Sequence, residues 1–453
     1  MSSLLAGAIK TDITPKEGTQ ISGDIGRHRP VEEVLDPLYA KALVLADDET
    51  KLCVISLDLA HTQTEFTTEL RSKIAEILGS SPEHVMVHST HNHAGPALGR
   101  GVPAEKRIPK GMSWLVCSWE EEYTSFAEER ILDAVRRASE RLEPAELGLA
   151  RGVDGRVAFN RRFIMRDGRA KTHPAPCDPN ILYNEGPIDP EVAVAAVRIA
   201  SGEIAALMLH HTCHPVHFYP LRKVSAGWPG AWAAEMENAV GQECTALVLN
   251  GCCGNVHYND HLDPGPANDH TTVGKLLKET AEEVMKRLDY TSGVPLAAVT
   301  RTLSIPWRKI PEKALKEARE LLDKHPQPTW KEGLEGVAAQ WDWVHAVRLL
   351  DRVEKEKEVR ECTYEVQVFR IGALAIAAFP GEPFVQMQLE MKLKSPADFT
   401  FGCEQGNGRG VGYVPTAEAV EKGGYEAEWS RLDPGALETI GKNAVEMLND
   451  LFE

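Results

Sequence analysis

The sequence predicts an α/β fold in which layered mixed β-sheets are flanked by helices. Short apolar runs alternate with amphipathic helical patterns through the first half of the chain, and strand patterns return in the final third. With 453 residues and 43% hydrophobic content, the chain is long enough to bury a large core. We expect a single domain over residues 1–453, with a charged helical hairpin inserted at residues 311–357.

The first part of the chain is predicted to form a β-hairpin, a crossover helix and a third strand. A long amphipathic helix follows, and its polar face indicates that it covers the outside of a sheet. The predicted ranges are strands 42–46 and 52–57 around the turn 47–50, helix 65–78, strand 85–87 and helix 120–142.

The second part repeats the pattern of strands followed by polar loops. We predict strands at 193–199, 204–209 and 245–249, helices at 232–240 and 272–288, strands at 364–370 and 373–378, and a last helix at 434–451. Residues 311–357 are rich in Glu, Lys, Arg, Ala and Leu, and the segment His325-Pro326-Gln327-Pro328 divides them into two charged helices. Their tryptophans, Trp341 and Trp343, are predicted to make interhelical or subunit contacts.

Composition narrows the class of protein. The formal net charge of −17 argues against a nucleic-acid backbone or an anionic membrane surface as partner, since either needs a basic patch. No apolar segment is long enough to span a bilayer, and the first ten residues lack the basic and apolar parts of a secretory signal. Nine scattered cysteines are typical of reduced intracellular thiols, so we expect a cytoplasmic protein. A homo-oligomer is compatible with the sequence.

Histidines are concentrated at the ends of predicted strands. Eleven of the 16 lie in three groups, at 84–93, 210–217 and 257–270. The first group contains the pair His91 and His93, and the second contains His214. A glycine-punctuated loop, Asn250 to Asn259, follows the strand at 245–249, and Glu382 follows the strand at 373–378. If these strands are mainly parallel, all four loops open at one sheet edge, which predicts a metal site there.

Each of these residues also has a structural interpretation. A single His at a strand end is more often a core or capping residue than a ligand. Glu382 follows a Pro-Gly turn, where it could cap the helix expected over residues 384–392. Cys252-Cys253 lacks CxxC spacing and favours packing over metal ligation. The pattern alone leaves these alternatives open.

Taken together, the motifs resemble the catalytic domain of the neutral/alkaline, non-lysosomal ceramidase family. They occur in order along nearly the whole chain. The matching segments are Gly7 to Pro15, Ser89-Thr90-His91-Asn92-His93-Ala94-Gly95-Pro96, Asn160-Arg161, His214-Pro215, Trp228-Pro229-Gly230, Phe379-Pro380-Gly381-Glu382, Gly412-Tyr413-Val414-Pro415-Thr416 and Tyr425-Glu426. The resemblance implies the family's layered α/β catalytic fold.

The resemblance also implies roles for individual residues. The family's zinc ligands correspond to His91, His214, Glu382 and Tyr413, with one Zn²⁺ expected per chain, and its acid/base histidine corresponds to His93. Zinc with an open coordination position lowers the pKa of its water from about 15.7 to near 7, which activates that water towards a carbonyl. The supporting Arg161 and Tyr425 could stabilise the developing oxyanion.

Three departures from the family pattern bear on the substrate. The family's substrate-contacting serine is replaced by His257, which we therefore include among the candidate catalytic residues, and its neighbouring acid is replaced by Asn255. The acidic residue of the aromatic-Pro-Gly motif is replaced by Gly227. We expect no C-terminal β-sandwich domain and no membrane-docking helix. A small polar acyl substrate therefore fits better than ceramide.

The sequence thus predicts a zinc-dependent hydrolase, similar to ceramidases and amidases, that cleaves an amide or related acyl bond. One alternative is a zinc-dependent esterase, lactonase or cyclic carbon–nitrogen hydrolase, because an activated water does not itself select the leaving group. Another is a non-catalytic, metal-stabilised binding protein. His257 and His261 could also provide a second metal site.

Overall fold

The computed structural model describes residues 4–101, 107–263, 265–357 and 359–453. Its strands are β1 (Leu5–Asp12), β2 (Glu33–Val34), β3 (Tyr39–Ala46), β4 (Lys51–Leu57), β5 (Val85–Ser89), β6 (Glu143–Val153), β7 (Phe159–Asn160), β8 (Arg162–Met165), β9 (Ala170–Thr172), β10 (Ile181–Asn184), β11 (Glu191–Ile199), β12 (Ile204–His211), β13 (Lys223–Val224), β14 (Thr245–Asn250), β15 (Val256–His257), β16 (Asp289–Thr291), β17 (Leu296–Pro306), β18 (Glu361–Ile371), β19 (Leu374–Ala378), β20 (Glu382–Pro383), β21 (Phe399–Cys403) and β22 (Tyr413–Val414).

The helices confirm most of the predicted ranges to within a few residues. They are α1 (Thr64–Leu78), α2 (Glu121–Glu140), α3 (Gly227–Val240), α4 (His270–Met285), α5 (Glu312–Lys324), α6 (Trp341–Glu356), α7 (Val385–Lys394), α8 (Ala417–Lys422), α9 (Tyr425–Trp429) and α10 (Ala436–Phe452). None of the helices described is both long and apolar enough to cross a bilayer.

The largest sheet has the strand order β14-β12-β11-β6-β1-β3-β4-β5, with β16 added beside β6. Strands β1 and β6 pair over only two residues, so the sheet turns a corner there and its two halves pack face to face. Leu45 and Met86 from one half share a core with Met208 and Leu249 from the other. A second sheet, β17-β18-β19-β21, packs against the same core through Ile376. This arrangement confirms the prediction of layered mixed sheets.

Helices cover the outer faces of these layers, as their apolar stripes require. Helices α1 and α2 pack on β1, β3, β4 and β5, and this confirms that the helix predicted at 120–142 lies outside a sheet. Helices α3 and α4 cover the other half of the large sheet, and α7 and α10 cover the second sheet.

The strands are not mainly parallel. The parallel arrangement on which the predicted convergence of the four loops depended is therefore wrong for the sheets as a whole. Most pairings are antiparallel, including β1 with β3 and β11 with β12. Four parallel pairs nevertheless contain or lead into the candidate residues: β4 with β5, β12 with β14, β19 with β21, and β20 with β22. The corner in the large sheet brings its two edge strands, β14 and β5, together. There the backbone N–H of Asn250 donates to Nε2 of His88 at 3.0 Å. The strand ends therefore converge although the sheet is mixed.

The two helices predicted in the charged segment are present as α5 and α6. They pack together through Leu315, Ala318, Ala346 and Leu350. Trp343 is buried and its indole N–H donates to the His325 carbonyl at 2.9 Å, which confirms an interhelical role. Trp341 lines a large cavity beside the candidate site, and its ring packs edge-on against that of Trp429 in α9 with centres 5.7 Å apart, which confirms an interhelical contact. The division of the chain into one domain with an insertion stays a prediction.

Candidate functional site

Four side chains from three strand ends converge at the bottom of one cavity. The Nε2 atom of His93 lies 3.3 Å from Nε2 of His91 and 3.0 Å from Nε2 of His214. Oε2 of Glu382 lies 3.4 Å from Nε2 of His91. Ligands at about 2.0–2.1 Å from a tetrahedral metal are separated by about 3.3–3.4 Å, so this spacing suits a metal ion at their centre.

The backbone fixes His91 in an unusual conformation. Its φ of 67° lies in the left-handed region, which non-glycine residues seldom adopt. Its Nδ1–H donates to the Ala60 carbonyl at 2.9 Å. This bond leaves Nε2 unprotonated and directed towards the other candidate ligands, as is usual for a metal-binding histidine.

Electrostatics separates the histidines into two kinds. Burial lowers the pKa of His91, but the adjacent Glu382 carboxylate more than offsets this and raises the pKa overall. The pKa values of His93 and His214 fall well below the ordinary value, because of burial and the charges of neighbouring side chains. His93 and His214 are therefore neutral at pH 7, the form in which imidazole binds a metal.

Glu382 is buried with one oxygen unsatisfied. Oε2 has no hydrogen-bond partner among the described residues. Burial raises the pKa of its carboxyl, but the neighbouring His91, Arg161 and Tyr413 side chains together outweigh it and lower the pKa. An unpaired carboxylate oxygen beside three imidazoles is a donor set that fits a divalent cation. The capping interpretation is wrong, because helix α7 has no side-chain cap.

Tyr413 is held beside Glu382 by the short parallel pair of β20 and β22. A hydrogen bond joins the Tyr413 side chain to Glu382. Burial and the Glu382 carboxylate raise the pKa of the phenol well above its ordinary value. Tyr413 thus contacts Glu382, which in turn lies beside the histidines.

Arg161 and Tyr425 lie on the other side of Tyr413. The Arg161 guanidinium is 5.5 Å from the centre of the Tyr413 ring, and one of its nitrogens donates to the Gly254 carbonyl at 2.6 Å. Its Nε lies 2.8 Å from Oε1 of the buried Glu426. The rings of Tyr413 and Tyr425 are 5.6 Å apart, and Tyr425 is 40% exposed towards the cavity.

His257 lies beside the group formed by His91, His93, His214 and Glu382, here called the metal-binding cluster, but outside it. It forms a β-bridge with His214, and its Nδ1 accepts from the amide of Asn259 at 3.1 Å, which leaves Nε2–H to face the cavity. Its ring packs edge-on against that of His173 at 4.6 Å. His261 is hydrogen-bonded to His173 at 3.0 Å. Within the described residues, His257 and His261 belong to no group of three candidate ligands, so the second metal site has no support.

Two buried residues outside the predicted site extend it behind His214: Cys253, which the sequence pattern assigned to packing, and Glu404, which it did not identify. Nδ1–H of His214 donates to Sγ of Cys253 at 3.8 Å, and that thiol donates to Oε1 of Glu404 at 2.9 Å. Burial raises the pKa of the Glu404 carboxyl to about 7. His214, Cys253 and Glu404 form the second group of candidate metal ligands among the described residues, the first being His91, His93 and His214. The signal for Glu404 is its position directly after the apolar strand β21.

The cluster opens into a cavity of about 1410 Å³. Gly254 allows the loop after β14 to approach closely, since a Cβ there would lie 2.4 Å from the Glu382 carbonyl oxygen. Helices α5 and α6 form one wall through residues such as Trp341 and His345. The wall therefore includes part of the segment that the sequence identified only as a charged hairpin.

Comparisons with known proteins identify solved structures of the same fold. No protein-family model and no curated protein sequence matches the chain. The structure of neutral ceramidase from Pseudomonas aeruginosa aligns with a TM-score of 0.72 and 19% identity, covering 100% of this chain and 75% of that one. A ceramidase complexed with C2 aligns with a TM-score of 0.71 and 17% identity, with the same coverage. The chain is therefore a ceramidase-like protein in its fold along its whole length.

Proposed function

We propose that the chain is a zinc-dependent hydrolase, a divergent relative of the ceramidases, that cleaves an amide or related acyl bond in a small polar substrate. The observation that supports this most directly is the cluster of His91, His93, His214 and Glu382 at the bottom of an open cavity, with ligand atoms 3.0 to 3.4 Å apart. The similarity in fold to ceramidases points to the same class of reaction.

His91, His214, Glu382 and Tyr413 would hold the ion. A zinc ion bound there would supply Lewis-acid chemistry, lowering the pKa of water to about 7 and polarising the acyl carbonyl. Each of His91 and Glu382 favours the charged form of the other, which raises the pKa of His91 and lowers that of Glu382, and a cation bound there would compete with a proton for Nε2 of His91.

His93 is the proton-transfer group in this proposal. It is neutral at pH 7, so its Nε2 can accept a proton from water and return it to the leaving nitrogen or oxygen. Its ring also forms a hydrogen bond with the Gly23 backbone, which orients the imidazole. Arg161 and Tyr425 line the same cavity and would donate to the oxygen on which negative charge develops.

The cavity lining favours a polar substrate. Charged side chains such as Arg161, Arg308, Arg409 and Glu428 line it together with the aromatic rings of Tyr425 and Trp429. A site of this kind places ionic and hydrogen-bonding groups around a small molecule. The cytoplasmic location, the single domain, the homo-oligomer and the absence of nucleic-acid and membrane partners stay predictions from the sequence.

The test uses a panel of N-acetylated amines and amino acids, each paired with its oxygen ester. Protein stripped with a chelator should be inactive, and one equivalent of zinc per chain should restore hydrolysis. His91→Ala should lose both zinc and turnover, whereas the matched variant His84→Ala changes a histidine in a surface 3-10 helix and should keep both. Full turnover by His91→Ala, or by stripped protein, would refute the proposal. The paired substrates separate amidase from esterase activity.

A further inference from the structure

One wall of the cavity is strongly basic, although the chain carries a net charge of −17. Its cationic side chains lie close enough to influence one another. The charge of Arg352 lowers the pKa of both Arg308 and Arg431, after the effect of burial, and the charge of Arg409 lowers the pKa of His61 and of Arg431. Like charges gathered in one wall repel each other unless an anion is present.

Two of these arginines have structural partners. Arg352 donates to the carbonyl oxygens of Arg308 and Arg431 at 2.8 and 3.0 Å, and it pairs with Glu356. Arg308 donates to the Ala427 carbonyl. These bonds join helix α6 to the segments beside it. The side chains of Arg352 and Arg308 therefore already have hydrogen-bond partners within the protein.

Two uncharged side chains in the wall have polar atoms without such partners. His61 is 4% exposed and Gln405 is 1% exposed, and both line the cavity. Nε2 of His61 and both amide atoms of Gln405 have no hydrogen-bond partner among the described residues. Unsatisfied buried polar groups destabilise a fold, so each such group requires an explanation. The Arg409 side chain also lines the cavity, next to His61.

The backbone places these three residues, named here the anion pocket, directly beside the metal-binding cluster. His61 follows Ala60, whose carbonyl accepts from His91. The backbone N–H of Gln405 donates to the carbonyl of Gly381, which precedes Glu382, at 2.9 Å. The Arg409 amide donates to the carbonyl of Thr62 at 2.8 Å. A group bound in the anion pocket is therefore close to a group bound at His91 and Glu382.

Three of the carboxylates that line the cavity already have cationic or imidazole partners of their own. Asp24 pairs with Arg27 at 3.1 Å, Asp351 pairs with Arg107 at 2.9 Å, and Glu382 faces His91.

We propose that the anion pocket, formed by His61, Gln405 and Arg409, binds a carboxylate of the substrate, which is then an N-acyl amino acid or a similar acid with its amide a few bonds away. This inference rests on the proposed hydrolase function. A guanidinium offers two parallel N–H donors that match the two oxygens of a carboxylate. Gln405 and His61 add uncharged donors, since burial and the charge of Arg409 lower the pKa of His61 well below neutrality. One guanidinium with two neutral donors suits a single negative charge.

The experiment measures binding and turnover separately. N-acetyl amino acids are compared with their α-carboxamides, which differ only in the charge of that group. Binding to zinc-stripped protein, in which no turnover occurs, is measured by calorimetry, and kcat/KM is measured with zinc present. The variants are Arg409→Gln and Lys309→Gln. Lys309 also lines the cavity but is exposed, so its replacement removes the same charge without touching the anion pocket.

We expect wild-type protein to bind at least one acid 10-fold or more tightly than its carboxamide. Arg409→Gln should abolish that preference, Arg409→Lys should restore part of it, and Lys309→Gln should keep it within about twofold. Equal binding of acid and carboxamide, or equal losses in Arg409→Gln and Lys309→Gln, would overturn the carboxylate pocket even if zinc-loaded protein hydrolyses both. Arg409-dependent binding without any hydrolysis would support the pocket while refuting the hydrolase proposal.

Discussion

Gly23 lies against the imidazole of His93 so closely that a Cβ at position 23 would be 2.6 Å from the His93 Cγ. The backbone of Gly23 also forms a hydrogen bond with the His93 ring. A segment far from the β5 strand end in sequence therefore orients the proposed proton-transfer group.

Gly23→Ala should lower kcat by roughly 10- to 100-fold, because a methyl group there must displace the His93 ring and small misplacements of a reacting group are costly. Gly18→Ala is the matched control. Its φ of 87° is close to the 85° of Gly23, but nothing lies within 4 Å of an added Cβ. Both variants place alanine at a positive φ, so both should lower the free energy of unfolding. Only Gly23→Ala brings a methyl group against His93. Equal losses of kcat would contradict this explanation.

His93 is close enough to the ligand atoms of His91 and His214 that its role has to be separated from theirs by experiment. If it transfers a proton, His93→Gln should lower kcat by about 10²- to 10⁴-fold while the protein still holds one zinc per chain. His214→Gln should lose the zinc itself. Elemental analysis after dialysis measures the metal, and steady-state kinetics measures kcat. Loss of zinc from His93→Gln would show instead that His93 is a ligand.

The chain of contacts from His214 through Cys253 to Glu404 predicts an effect on metal affinity. Cys253→Ala or Glu404→Gln should weaken zinc binding about 10- to 100-fold, because the group that accepts from a ligating histidine fixes its orientation and basicity. Cys252→Ala is the control, since both cysteines are fully buried and the two substitutions remove the same atoms. Cys252 packs in a different part of the core. Zinc dissociation constants from competition with a chelator compare the variants, and equal affinities in all of them would contradict the role of Cys253.

The sequence predicted the elements well where apolar periodicity is strong, as in β3, β4, α1 and β14. Ligand identities came from motif resemblance rather than from periodicity, because a carboxylate after a Pro-Gly turn, such as Glu382, has the same local pattern as a helix cap. Glu404 was missed because no strand was predicted at residues 399–403, where Thr400 and Gly402 interrupt the apolar residues of β21. Cys253 was assigned to packing because its link to His214 and Glu404 depends on two strand ends that meet only in the folded chain.

The cavity wall could not be predicted for a related reason. Residues 311–357 have the composition of solvated helices, and nothing local indicates that Trp341 and His345 face a site built by strands elsewhere. Likewise, the corner between β1 and β6 depends on a two-residue pairing that no periodic pattern indicates. The sheets are mixed rather than mainly parallel, although the strands before the candidate residues take part in parallel pairs, and their ends converge through this corner.

Asp189 gives a prediction on stability that does not depend on the proposed activity. Its Oδ2 accepts from Lys392 at 2.7 Å and from Gln388 at 2.6 Å. Burial raises the pKa of this carboxyl, but the charges of Lys392 and His210 and the hydrogen bonds from Lys392 and Gln388 together outweigh the effect, and the pKa falls from 3.8 to about 2. Because the pKa is lower in the folded state, the ionised carboxylate stabilises the fold above pH 3.8, and the contribution disappears as the pH falls through 2.

Asp189→Asn should therefore cost about 2 kcal/mol in the free energy of unfolding at pH 6, the value of a shift of nearly two pKa units. The difference from wild type should shrink steadily between pH 4 and pH 2, because protonation removes the same charge from the wild-type side chain. Urea unfolding at pH 6, 4 and 3 measures it. Asp48→Asn, in the exposed turn between β3 and β4, is the control and should change stability little at any of these pH values. A cost for Asp189→Asn that is the same at pH 6 and pH 3 would mean that the carboxylate charge does not supply the stabilisation.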